Sequence, residues 1–276
     1  MNVNKIQDVE TLNQVAKNVR RGIIDAIYNG KSGHPGGSLS IADIITVLYF
    51  NEMNINPDNP NDEDRDRLVL SKGHCAPALY SVLANRGFFD VQELTTLRNI
   101  DSRLQGHPDM KKIPGVDMTT GSLGQGLSAA NGMAIAGKLD NKGYRVYCIL
   151  GDGEIEEGQI WEAAMASNKY KLDNLCVIVD KNNLQIDGTT DEVMSSAPLD
   201  DKFKSFGFEV ITINGNNILE IMQAFAKAKT TKNKPTCIIA ETVKGKGVSF
   251  MEGQVGWHGK APNEEQYNLA MQELNG

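Results

Sequence analysis

RVYCILGDGEIEEG (145–158) runs through the apolar stretch Val146–Leu150, stops at Gly151-Asp152-Gly153, and then crowds acidic residues at 152, 154, 156 and 157. The apolar half shows no polar alternation, so it reads as a strand covered on both faces, as a parallel sheet requires. Four more short runs share that character: RLVLS (67–71), LCVIVD (175–180), FEVITI (208–213) and PTCIIAET (235–242). Helical patterns at 75–87, 124–139, 157–170 and 217–229 lie between them. The alternation predicts an α/β fold: a doubly wound, mainly parallel sheet with helices on both faces and right-handed crossovers. Ahead of it, Val9, Leu12, Val15, Ala16, Val19, Ile23 and Ile27 recur every three or four residues behind a possible Asp8 cap, predicting a helical extension that ends at Asn29-Gly30. A last helical pattern covers 264–274, and residues 1–276 read as a single domain.

Ligands of such folds sit beyond the carboxyl ends of the strands. Attention therefore falls on SKGH, GDGE, DKNN, TING and ETVKGKG, and on the Gly/Pro-punctuated connection 101–123. Twenty-eight basic against thirty-five acidic residues, a net charge of -7, argue against nucleic acid or an anionic membrane as partner. MNVNKIQDVE has no apolar leader segment and no run approaches a membrane span, so the cytoplasm is the expected compartment. Cys75, Cys148, Cys176 and Cys237 show no CxxC or metal-ligand spacing and read as reduced and structural.

Asp152 between two glycines could belong to a plain turn. The next strand, however, ends in Asp180-Lys181-Asn182-Asn183, thirty residues beyond Asp152 to Asn182, and one βαβ unit delivers both ends to the same sheet edge. A carboxylate, an amide oxygen and a backbone carbonyl from adjoining loops leave room for two phosphate oxygens and a water, the octahedral shell of Mg²⁺. That ion would bring positive charge to a diphosphate. Glu157 opens a helix, where the dipole favours it without any function; Glu154 and Glu156 read as solvated, and Asp152 as an exposed loop carboxylate. All four histidines, His34, His74, His107 and His258, stand beside glycine in loops, a setting with room for a ligand and for proton transfer. The run Gly121–Gly126 precedes a helix rich in small residues whose N-terminal N–H groups could meet an anion. Lys244 could contact phosphate or be solvated.

GDG, about thirty residues, then NN resembles the thiamin diphosphate signature, and the chain is similar throughout to the N-terminal part of transketolases. SGHPGGSLS (32–40), LSKGHCAPALY (70–80), GHPD (106–109), TTGSLGQGLS (119–128), IDGTT (186–190) and WHGKAP (257–262) look like that family's elements, in its order. The resemblance implies Asp152 and Asn182 as side-chain metal ligands and Leu184 as a carbonyl ligand, with Mg²⁺ or Ca²⁺ or Mn²⁺ in its place. It implies cofactor contacts from Gly153, Gly121, Leu123, His74, Asn182, Lys244 and His258, and a sugar channel lined by His34, His107 and His258. Glu157 would stand at a subunit interface near the cofactor. The implied reaction transfers a two-carbon ketol unit from a ketose phosphate to an aldose phosphate.

The family's pyrimidine-binding and C-terminal domains do not follow WHGKAP. The expectation is one half of a split transketolase, active only with a C-terminal subunit, which self-associates about a two-fold into a heterotetramer. Alternatives are a deoxyxylulose phosphate synthase-like or specialised sugar-phosphate enzyme, and a non-catalytic thiamin diphosphate-binding module. A dinucleotide-binding fold lacks its GxGxxG after the first strand.

Overall fold

The computed structural model describes residues 5–276; the part of the leader-free reading that concerns residues 1–4 lies outside them. Five strands, β1 (Arg67–Leu70), β2 (Val146–Gly151), β3 (Leu175–Lys181), β4 (Glu209–Asn214) and β5 (Thr236–Glu241), form one all-parallel sheet in the order β1-β2-β3-β5-β4. The helices are α1 (Val9–Gly30), α2 (Pro35–Ser40), α3 (Ala42–Val47), α4 (Ala76–Arg86), α5 (Gly126–Leu139), α6 (Gly158–Lys169), α7 (Thr190–Met194), α8 (Leu199–Ser205), α9 (Ile218–Thr230) and α10 (Glu264–Asn275).

The period-two geometry of a strand sorts the apolar runs into two cores. Val146, Cys148, Leu150, Val177 and Val179 face one core, beneath α5, α6 and α8; Tyr147, Ile149, Cys176, Ile178 and Ile238 face the other, under α3, α4 and α9, with α1 and α10 outside them. All four cysteines are buried and unbridged, as read. Among the described residues no helix is long and apolar enough to cross a membrane. Asp8 caps α1 as expected, accepting from the Thr11 N–H at 2.7 Å.

One expectation changes, and two helices are added. The strand read from FEVITI is the sheet's edge, with no strand paired to its far side among the described residues, and its residues are only partly buried. Helices α2 and α3 were not legible in the sequence: every residue from Pro35 to Val47 is buried, so no polar face marks a helical period.

In-register pairing sets Gly151 beside Asp180 and Asp180 beside Ala240. Asp152, Asn182 and Thr242 therefore leave neighbouring strand ends at one edge, and this positions the site.

Candidate active site at the carboxyl edge of the sheet

A cleft of about 280 Å³ opens at that edge, and His34, His74, His107, Gly121, Leu123, Asp152, Gly153, Asn182, Leu184, Lys244 and His258 all line it. Every residue named from sequence reaches the cleft except Glu157, which is exposed at the start of α6 with Gly124 packed against its Cβ. A larger cavity of about 450 Å³ adjoins, sharing Asp152 but holding none of the histidines.

Asp152 is not the exposed loop carboxylate read from the sequence: it is 3 % exposed. Its oxygens accept from the backbone N–H of Gly153 at 3.0 Å and of Asn183 at 2.5 Å, and no cation pairs with it among the described residues. Burial, then the neighbouring Asp180 charge, raise its pKa to about 6. Asn182 turns its Nδ2 onto Asp180 at 2.9 Å, while its Oδ1 accepts the Leu184 N–H at 3.1 Å. The Leu184 carbonyl already draws a cation, Lys244 Nζ at 2.9 Å. A buried carboxylate served only by backbone N–H groups, an amide oxygen and a carbonyl make an all-oxygen set that fits a hard divalent cation. No cluster of three His, Cys, Asp or Glu capable of holding a metal occurs among the described residues.

At the floor of the cleft lies an ion pair that no local motif announces. Lys72 donates to Asp180 Oδ2 at 2.5 Å and to the Gly37 carbonyl at 3.1 Å, with side-chain exposures of 2 % and 0 % for the pair. Ser40 adds a bond to Oδ2 at 2.6 Å and Thr242 donates to Oδ1. Burial works against both charges, yet each holds the other ionised: Lys72 titrates above its ordinary range and Asp180 below. A lone Lys in SKGH and an Asp ending an apolar strand carry no sequence signal of such pairing; only the fold brings them together.

His34, His74 and His258 arrive on three different loops yet stand with ring centroids 5.1–5.4 Å apart. Burial first, and then surrounding cations, lower their pKa values to about 4 for His34 and His74 and about 3 for His258. All three are neutral at pH 7 and can each offer a donor and an acceptor. His34 Nδ1 is buried with no hydrogen-bond partner among the described residues, and His258 Nδ1 lies 3.0 Å from Lys244 Nζ. Burial, then Lys72, lower Lys244 to about 8. His107, exposed at the mouth, rests on Gly121: that glycine has φ +147°, and a Cβ there would meet the imidazole at 3.0 Å.

Glu154 corrects two expectations. It is buried rather than solvated, and it supplies the anion that the Gly121–Gly126 run meets: Gly124 N–H reaches Oε1 at 3.0 Å, Gly151 N–H reaches Oε2 at 3.0 Å, and the Ser71 hydroxyl donates to Oε1 as well. One carboxylate thus fastens the end of β1, the GDG turn and the approach to α5. Glu156, half-buried, accepts from Gln185 at 2.9 Å.

A family model described as "Transketolase, thiamine diphosphate binding domain" matches residues 11–275. The chain belongs to the transketolase family. It is 46% identical over 267 residues to one subunit of the apulose-4-phosphate transketolase of Phocaeicola vulgatus, covering 97% of this chain and 95% of that one. It is 47% identical over 263 residues to the 6-deoxy-6-sulfo-D-fructose transketolase subunit SqwG of a Clostridium species, covering 95% and 96%. A transketolase of Campylobacter jejuni superimposes with a TM-score of 0.90 at 35% identity, over 98% of this chain but 43% of that one. This transketolase-family chain thus matches those subunits almost end to end and spans less than half of the solved transketolase. Its cleft, with Lys72 and Lys244 among the lining residues, lies within the stretch that matches the thiamine diphosphate binding domain.

Proposed function

We propose that the chain is the diphosphate-binding subunit of a split transketolase. Thiamin diphosphate and a divalent cation, Mg²⁺ by preference, bind in the cleft, and a partner chain carrying the pyrimidine-binding domain completes the site. The single observation that carries the reading is that the buried Asp152, Asn182 and Leu184 line one cleft with three histidines whose rings stand 5.1–5.4 Å apart. In this reading Asp152, Asn182 and Leu184 hold the ion. Gly153, Gly121, Leu123, His74, His258 and Lys244 contact the cofactor. The unpartnered Nδ1 of His34, with His107 and His258, takes hydroxyls of the sugar. Held there, thiamin diphosphate would supply an electron sink for cleavage of a ketose phosphate carbon–carbon bond. Residues 1–276 act as one domain, and Glu157, exposed at the head of α6, faces a second copy across a two-fold.

Two relatives matched over nearly their whole length are subunits named for apulose-4-phosphate and 6-deoxy-6-sulfo-D-fructose, which favours a specialised sugar over a general pentose phosphate role. Calorimetry of thiamin diphosphate with Mg²⁺ tests the site. Asp152→Asn, which keeps the shape and one acceptor oxygen, should weaken binding at least about 100-fold while the chain stays folded; unchanged affinity would remove the proposal. Turnover by the chain without a partner would refute the split site. Rates on several phosphorylated and sulfonated donors, with the partner present, decide the substrate.

A further inference from the structure

We propose that Asp180 is a positioning residue for the cation site: its carboxylate fixes which end of the Asn182 amide faces the metal. The inference rests on the cation site proposed above and adds a residue that does not touch the ion.

An asparagine amide turns about a broad, nearly two-fold torsion, so its oxygen and nitrogen are close to interchangeable unless a partner distinguishes them. For a metal ligand the distinction is absolute, because an NH₂ group presents only donors. Both Asp180 oxygens already accept, Oδ2 from Lys72 Nζ and the Ser40 hydroxyl and Oδ1 from Thr242. The end of Asn182 that lies 2.9 Å from Asp180 Oδ2 is therefore Nδ2, which turns Oδ1 toward the Leu184 turn and the cleft. Asp180 is itself held on all sides. Ser40 and Lys72 converge on the same Oδ2, and Thr242 takes Oδ1, so the carboxylate has no freedom to follow a flipping amide. These donors follow the His34 loop, begin the His74 turn and precede Lys244, so one acceptor ties together the loops that build the cleft. Lys72 Nζ, 2.5 Å from Oδ2 and enclosed with it, holds the carboxylate on the side away from Asp180 Oδ1 and its Thr242 bond.

The test compares two variants that share one change. In Lys72→Met/Asp180→Asn the side chain at 180 retains an oxygen that can accept from Asn182; in Lys72→Met/Asp180→Leu it does not. Replacing both charges avoids leaving one buried alone. Thiamin diphosphate binding as a function of Mn²⁺ is measured by calorimetry on the full chain with its partner chain present, together with thermal unfolding. The leucine variant should bind Mn²⁺ about 10–100-fold more weakly than the asparagine variant, with similar unfolding temperatures, the usual size of an outer-shell effect. Equal Mn²⁺ affinity in the two overturns the inference. Wild-type affinity in Asp152→Asn would instead overturn the cation site itself. Should the leucine variant fail to fold, the Asn182 side-chain NH₂ resonances of the wild-type chain give a second measurement. One of the two protons should exchange slowly because it is bonded to Asp180; fast exchange of both overturns the inference.

Discussion

Two buried ion pairs, both under a tenth exposed, have different designs. Between α1 and α3, Arg20 grips Asp43 with both guanidinium ends, at 2.9 and 2.6 Å, while its Nε reaches the Lys246 carbonyl at 3.0 Å and Asn216 adds a bond to Asp43 at 3.0 Å. Under the cleft, Lys72 meets Asp180 through a single ammonium, and Asp180 shares itself among two hydroxyls and an amide from three other parts of the chain. The forked pair is a self-contained clasp, its geometry fixed by the planarity of arginine. The point-charge pair leaves most of its bonds to others, so it can order loops that carry function.

The contrast predicts unequal responses to truncation. Lys72→Ala leaves Asp180 fully enclosed and uncompensated, so urea unfolding should show a loss of about 3–5 kcal/mol. Arg20→Ala should cost less, about 1–3 kcal/mol, because Asp43 keeps its Asn216 bond and borders a polar surface groove of about 440 Å³ that admits water. An Arg20→Ala loss equal to that of Lys72→Ala would erase the distinction drawn between the two pairs.

A smaller effect separates the cleft by pH. His74 has its folded pKa depressed to about 4, by burial first and then by Lys72, with Lys244 adding to the effect and Glu154 and Asp180 opposing it. The unfolded chain binds that proton near pH 6.5, so it holds more protons between there and about 4, and the stability linked to neutral His74 is present above that window and lost as pH falls through it. Between pH 7 and 5 the wild type should therefore lose about 1–2 kcal/mol relative to His74→Gln, in urea titrations at the two pH values. Parallel curves would show that His74 is not held neutral by its surroundings.

The reach of the sequence differs along the chain for physical reasons. Strands β1, β2, β3 and β5 announce themselves because burial on both faces leaves unbroken apolar runs, and thirty residues of crossover place Asp152 and Asn182 at one edge whatever the details of packing. The glycine-flanked histidines are equally visible, since the space a ligand needs is written as missing side chains. Glu154 misled because its acidity is legible and its partners are not: the N–H groups of Gly124 and Gly151 belong to backbone that any residue supplies. The helices of 35–47 were hidden for the opposite reason, having no exposed side from which a period could be read.

By itself, then, the order of residues determined a parallel sheet, the edge where its chemistry gathers, and membership in a thiamin diphosphate-binding family, because these follow from local periodicity, chain length between strands and short motifs. Only the tertiary structure decided which charges are solvated and which are enclosed. Lys72 and Asp180 are 108 positions apart, and their pairing depends on the register between β1, β2 and β3, a long-range property that no local pattern encodes.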